Sequence, residues 1–250
     1  MSTAPTPLIV GNWKMNGLAA SLGELTALAE ALATEPARAR VAICPPATLV
    51  ERAARTAAGS AVEIGAQDCR AELSGAFTGD VAAEMIADAG ATLVILGHSE
   101  RRSGYGETDA VVCAKVAAAL RAGLEPIVCV GETLEERRAG RAVEVVQAQV
   151  TGSLPDDLHG KAFSVAYEPV WAIGSGLTPS LAEIGEVHQA IRQTLTARFG
   201  EASATVAILY GGSVKPANAV EILAIQDVGG ALVGGASLKA ADFLGIIRAV

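Results

Sequence analysis

At 250 residues, 51% hydrophobic and 18% charged, the chain can bury a large core, and its length suits either two small domains or one barrel. A net charge of −8 excludes a general nucleic-acid or anionic-membrane surface, while leaving room for a local basic site that takes an anionic substrate. The longest apolar runs, such as Leu93–Leu96, fall far short of a membrane span.

No linker, low-complexity tract or composition shift divides the chain, so one continuous domain over residues 1–250 is expected. Cys44, Cys69, Cys113 and Cys129 are scattered, with no C-x-x-C pair and no His at metal-ligand spacing, and they read as free thiols. Residues 1–10 carry no basic residue and no long apolar run, so they do not read as a signal peptide. These features together predict a soluble, cytoplasmic protein with reduced cysteines, no nucleic-acid partner and no membrane partner.

Short apolar, β-rich runs alternate with longer segments of helical period, the pattern of repeated βα units and a parallel sheet. The first run, 8–12, leads into Gly11-Asn12-Trp13-Lys14, which brings an amide and an ammonium to the strand's tip. Runs at 41–44 and 62–66 follow. The fourth, 93–96, leads into Gly97-His98-Ser99, where a helix start would disfavour the imidazolium and keep His98 neutral. After 127–130 comes 163–167, which ends on Glu168 and passes into Pro169-Val170-Trp171-Ala172-Ile173-Gly174-Ser175-Gly176. That segment has a rigid start and glycine hinges, as a mobile flap over a carboxylate would. The helix at 179–199 is predicted with Thr178 as its cap and Pro179 in its first turn. The last runs, 206–210 and 231–233, lead into Gly211-Gly212-Ser213 and Gly234-Gly235.

Eight βα units in this length favour an α/β fold closed as a single (β/α)8 barrel with a parallel eight-stranded sheet, over an open doubly wound sheet. In a closed barrel every strand's C-terminal end lies on one rim. Asn12, Lys14, His98, Glu168 and the three glycine loops would then face a common pocket, and backbone N–H groups after strands seven and eight would suit a phosphate. Singly, each feature is also compatible with a solvated side chain or a plain turn.

The segments 11–17, 75–79, 91–102, 167–176, 210–213 and 234–238 stand in the order found in the triosephosphate isomerase family, which the chain resembles from Gly11 to Leu238. The resemblance implies a barrel enzyme of glycolysis and gluconeogenesis that interconverts dihydroxyacetone phosphate and D-glyceraldehyde 3-phosphate through an enediolate, without metal or organic cofactor. It implies Glu168 as base, His98 as electrophile, Asn12 and Lys14 as the catalytic and substrate-binding pair, and Gly174, Ser213, Gly234 and Gly235 as phosphate donors. Residues Pro169 to Gly176 become the lid. A lid-covered, buried Glu168 is expected to be a stronger base than one in water. A homodimer is implied too, with the loop around Thr78 reaching the partner's site. Loop 71–79 is longer than a minimal βα turn and carries Leu73 and Phe77, in keeping with that role. Ser175, Leu177 and Gly229 stand where the family commonly has Thr, Lys and Asp. A phosphosugar epimerase or aldolase would share the phosphate loops, but would want a metal cluster or a lysine inside the barrel, and neither is in the pattern.

Overall fold

The computed structural model describes residues 5–175 and 177–250. Eight strands, β1 (Leu8–Asn12), β2 (Arg40–Cys44), β3 (Val62–Ala66), β4 (Leu93–Leu96), β5 (Glu125–Val130), β6 (Ser164–Tyr167), β7 (Ala207–Tyr210) and β8 (Gly230–Val233), pair in parallel in chain order. The barrel closes where β8 pairs with β1, Leu8 opposite Gly230. The strands agree with the sequence reading to within two residues, and the earlier starts of two of them have one cause. Strands β2 and β5 begin on Arg40 and Glu125, ahead of the apolar runs, because charged side chains there face each other across the bottom of the barrel. Arg40 meets Glu63 at 2.9 Å and Glu125 at 2.8 Å, so the polar start of each strand is paired rather than solvated.

Side chains alternate along each strand between the barrel interior and the surrounding helices. Leu8 and Val10 fill the interior with Ala166 and Leu209, while Ile9, Val41 and Val165 pack outward under the helices. The same parity aims two residues of the site. Asn12 continues the inward face of Leu8 and Val10, and Glu168, two beyond Ala166, continues the inward face of β6. His98 breaks parity because Gly97 turns the chain at φ +65, in the left-handed region, where a Cβ would also stand 2.7 Å from Val112 Cγ2.

The α-helices are α1 (Leu22–Thr34), α2 (Val50–Thr56), α3 (Ala83–Asp88), α4 (Ser99–Tyr105), α5 (Asp109–Arg121), α6 (Leu134–Arg138), α7 (Ala142–Ser153), α8 (Leu181–Phe199), α9 (Pro216–Leu223) and α10 (Ala240–Ile247). The start of α8 corrects the sequence reading. Ser180, not Thr178, is the cap: its Oγ accepts the Glu183 N–H and the Glu183 carboxylate accepts the Ser180 N–H, a reciprocal box that outcompetes the proline immediately before it. None of the helices among the described residues is long and apolar enough to cross a membrane.

Candidate active site

At the tip of β1, Asn12 is buried and its Oδ1 accepts the Lys14 N–H at 2.9 Å. Lys14 itself adopts φ +52 and extends its ammonium to Glu100 Oε1 at 2.5 Å. Between them, Trp13 is buried and donates its indole N–H to the Ser237 carbonyl at 3.1 Å, which ties the loop after β1 to the loop after β8. As a result Lys14 Cε passes 3.6 Å from where a Cβ on Gly234 would stand. A cation and a side-chain-free backbone turn thus share one corner of the rim.

His98 is the N-cap of α4, and its Nδ1 accepts the Glu100 N–H at 3.2 Å. A ring nitrogen that accepts cannot carry a proton, so the proton sits on Nε2 and the imidazole is the neutral donor expected from its place at a helix start. Nε2 lies 2.9 Å from Glu168 Oε1. The Glu168 carboxylate is 2% exposed and also accepts the Ser99 N–H at 3.0 Å and the Ser99 hydroxyl at 3.1 Å. Burial pushes this carboxyl up, but His98, the Ser99 N–H and the Cys129 thiol outweigh it and hold the group below its ordinary value. In this arrangement Glu168 is therefore a weaker base than a solvated glutamate, contrary to the expectation from burial, because donors grip it more firmly than water would. Its Cγ rests against Gly211, where a Cβ would come within 2.8 Å.

The two phosphate-loop candidates differ in how they are held. Ser213 is exposed and its carbonyl accepts from Asn218 Nδ2 at 3.1 Å, while Asn218 Oδ1 accepts the Lys215 N–H at 2.8 Å. Gly234 and Gly235 open a short 3-10 turn closed by Ser237, whose N–H and hydroxyl both reach the Gly234 carbonyl. Neither arrangement uses the N–H groups of Gly212, Gly234 or Gly235 in bonds among the described residues. Gly174 stands apart from this corner, exposed at φ +70 with nothing within 4 Å of a Cβ position. The segment before it, Val170–Ala172, is a 3-10 turn whose Trp171 indole donates to Glu132 Oε1 at 2.8 Å. Gly176 lies outside the described residues.

Between β3 and α3 the chain makes a self-supported arm. Arg70 pairs with Val81 through its backbone N–H at 2.9 Å, with Asp80 at 2.6 Å and with Glu72 at 2.9 Å, and its guanidinium lies 3.8 Å above the Phe77 ring. Thr78 is exposed near the arm's tip and Leu73 on its flank. Beside the arm runs a groove of about 1230 Å³ whose walls reach from Asn12, Lys14 and His98 out to Met15, Met85 and Tyr105. Those three outer apolar side chains are 96%, 55% and 74% exposed.

The family model described as triosephosphate isomerase matches residues 7–250. The chain belongs to the triosephosphate isomerase family. It is 63% identical over 249 residues to the triosephosphate isomerase of Caulobacter vibrioides, covering 100% of this chain and 98% of that one. With the triosephosphate isomerase of Afipia carboxidovorans it shares 63% over 243 residues, covering 97% of each. The crystal structure of triosephosphate isomerase from Bartonella henselae superposes with a TM-score of 0.91 at 48% identity, covering 98% of both chains.

Within this triosephosphate isomerase barrel, the site residues named from sequence form two contact groups on one rim, Asn12–Lys14–Gly234 and His98–Glu168–Gly211. Sequence reasoning missed the residues that hold them: Ser99 on Glu168, Glu100 on Lys14, Gln67 on the Lys14 carbonyl, Glu132 on Trp171 and Asn218 on Ser213. Ser99 and Glu100 are adjacent to His98, so a helix start that must satisfy its own N–H groups was a usable signal. Of the departures from the family pattern, Ser175 uses its hydroxyl as a family threonine could, donating to the Trp171 carbonyl at 2.8 Å and accepting the Leu177 N–H at 3.1 Å.

Proposed function

We propose that this isomerase interconverts dihydroxyacetone phosphate and D-glyceraldehyde 3-phosphate, with Glu168 as the base, His98 as the electrophile and Lys14 as the cation for the substrate's oxygens and phosphate. The observation that carries the reading is the contact of a buried carboxylate with the Nε2–H of a neutral imidazole on the barrel's C-terminal rim. Glu168 takes a proton from one carbon and returns it to the neighbour. The His98 Nε2–H donates to the carbonyl oxygen as charge builds there, and the same nitrogen relays the hydroxyl proton. A base alone cannot ionise so weak a carbon acid, so the ammonium of Lys14 and the amide of Asn12 share the stabilisation of the enediolate. Phosphate is taken by the free N–H groups after β7 and β8, with Ser213, Gly234 and Gly235 on one side and Gly174 of the lid on the other.

The same reading includes a homodimer, in which the arm and its Thr78 tip enter the partner's groove beside Lys14. Support comes from the exposed apolar side chains there, Met15, Met85 and Tyr105 on the groove and Leu73 on the arm. A cytoplasmic location fits four free cysteines. The deciding experiment is a coupled assay on glyceraldehyde 3-phosphate with the wild-type chain and Glu168→Gln, run with and without a chelator. Turnover that survives chelation and is lost in the variant is expected; turnover that needs added metal, or that Glu168→Gln retains, overturns the assignment.

A further inference from the structure

Near the rim, β5 outruns its neighbour β4. The two strands pair from Leu93 opposite Glu125 to Leu96 opposite Val128, and there Gly97 turns the chain away while β5 runs on through Val130 to Gly131. Beyond that point the even-numbered residues still serve β6: the Val130 carbonyl accepts the Glu168 N–H at 2.8 Å and the Glu132 carbonyl accepts the Val170 N–H at 3.1 Å. The odd-numbered ones face the missing strand, and side chains stand in for it. Arg102 donates to the Cys129 carbonyl at 3.2 Å. Gln149 of α7 takes both groups of Gly131, its Oε1 accepting the N–H at 2.7 Å and its Nε2 donating to the carbonyl at 3.0 Å. With one donor and one acceptor opposite it, the amide can face only one way, and it serves as one more peptide unit of the sheet.

Gly131 is also where β5 meets the candidate base. A Cβ on it would collide with the Glu168 carbonyl and stand 3.3 Å from Glu168 Cα, so bare backbone here lets β5 close directly onto the residue that carries the carboxylate. The Gly131 peptide lies between the two carbonyls that hold Glu168 and Val170. Beside it is a cavity of about 230 Å³, with Ser99, Gly131, Gln149, Glu168 and Val170 among its walls, so close packing does not hold the peptide from that side. Among the described residues, the two bonds from Gln149 are the only ones that the Gly131 N–H and carbonyl make. Without them this glycine can turn into the cavity, the carbonyls on either side of it lose their aim, and the Glu168 backbone shifts with its carboxylate.

We propose that Gln149 is a positioning residue for the base: its amide completes the end of β5 and so fixes the backbone from which the Glu168 carboxylate projects. The role rests on the reading of Glu168 as the base. It also ties α7, in the outer layer of the barrel, to the reacting centre.

The test compares Gln149→Met, which keeps the length but has no amide, with wild type, Glu168→Asp and the double variant. The readouts are kcat, KM, inhibition by inorganic phosphate and the pH profile of kcat/KM, with circular dichroism and sedimentation mass reporting fold and assembly. Misplacing a reacting group by about 1 Å costs on the order of 100-fold, so kcat should fall about 10- to 100-fold while KM and phosphate inhibition stay within about twofold. A shifted backbone also slackens the hold of Ser99 and His98 on the carboxylate, so the acid limb should move to higher pH, which a mere loss of folded protein would not cause. In the Glu168→Asp background, where the carboxylate is already withdrawn, the same change should cost less than about threefold. A wild-type kcat in Glu168→Asp would refute the base reading itself. If Glu168→Asp is impaired but Gln149→Met keeps its kcat, leaves the acid limb unmoved, raises KM in place of lowering kcat, or costs the same in both backgrounds, the positioning role is wrong. Should Gln149→Met not fold, Gln149→Asn reads the same comparison: one methylene short, it can meet one group of Gly131 but not both, and an unchanged kcat in it overturns the proposal.

Discussion

The Glu168 carboxylate and the His98 imidazole are in direct contact, Oε1 lying 2.9 Å from Nε2, so the two groups proposed to flank the substrate touch each other. A three-carbon substrate requires them to part. The carboxylate has to leave Ser99 and His98 and swing toward the rim, where the loss of those donors raises its basicity. Shortening this arm by one methylene in Glu168→Asp should cut kcat by about 100-fold or more and change KM little, because the misplacement is felt in the transition state. A loss confined to KM would sink the base assignment. His98→Gln should likewise lower kcat while inorganic phosphate still inhibits as in the wild type.

Ser99 grips the resting carboxylate through both its N–H and its hydroxyl. Burial pushes the Glu168 carboxyl up, but His98, Ser99 and Cys129 together hold it below its ordinary 4.5. A depressed carboxyl stays ionised to lower pH, so the acid limb of kcat/KM, which reports the free enzyme, should lie below that value. Ser99→Ala removes one donor and keeps the N–H, and the limb should move to higher pH. A limb that does not move would mean that Glu168 does not rest on Ser99 in solution.

Arg70 sits inside the arm, stacked on Phe77 at 3.8 Å and paired with Asp80 at 2.6 Å. The arm is thereby shaped before it meets anything, and a partner need not supply the entropy of ordering it. Arg70→Met keeps the bulk but not the charge, and should weaken the dimer by about 10-fold or more, read as concentration-dependent mass in sedimentation equilibrium. Activity should fall with dissociation and return on concentration. A wild-type chain that is monomeric would refute the dimer; a dimeric wild type with an equally tight Arg70→Met would refute the arm's dependence on Arg70.

The barrel was legible because its strands are continuous apolar runs, and the rim residues were legible because the chain changes character where each strand ends. What escaped was cross-strand support. Nothing near Gln67 in sequence says that its amide will find the carbonyls of Lys14 and Cys44, since those positions lie 53 and 23 residues away. The basicity of Glu168 escaped for the same reason: burial can be read from the apolar strand before it, whereas the donors that outweigh burial come from the helix start beyond another strand. The ends of β2 and β5 were clipped because Arg40 and Glu125 look solvated until the closed barrel brings them to 2.8 Å.

His188 of α8 is fully buried, edge-on to the Tyr167 ring at 5.8 Å, with Nδ1 3.3 Å from the Asp227 carbonyl. Burial pushes its pKa down from 6.5 to about 4. The unfolded chain therefore takes up this proton first as pH falls. The stability contribution is complete above about 6.5 and is lost progressively toward 4, on the order of 3 kcal/mol at about 1.4 kcal/mol per unit. Urea midpoints measured across that window should fall steeply for the wild type and more gently for His188→Gln. Equal slopes would show that His188 does not stay neutral in the folded protein.

In the proposed lid Gly174 and Ser175 are exposed, while Pro169 and Ala172 are buried, the Trp171 indole donates to Glu132 at 2.8 Å and the Val170 N–H donates to the Glu132 carbonyl at 3.1 Å. Both contacts to Glu132 lie at its first turn, which anchors the near half. An enediolate with phosphate on the neighbouring carbon can expel that phosphate instead of accepting its proton back. Keeping the carbon–oxygen bond to phosphate in the plane of the enediolate, where overlap with the π system is poor, would prevent this. The Gly174 N–H on the phosphate would hold that plane once the lid closes, and Trp171 and Ile173 would exclude water. Excising Ile173, Gly174 and Ser175 and joining the ends should leave a folded barrel, seen by circular dichroism, that releases methylglyoxal and inorganic phosphate in amounts rivalling isomerised product. Gly174→Pro, which removes the N–H and cannot take φ +70, should do the same more mildly. The decisive quantity is phosphate released per isomerisation: a shortened chain that isomerises slowly but cleanly would mean that the lid serves binding alone and that the intermediate is protected by the rim.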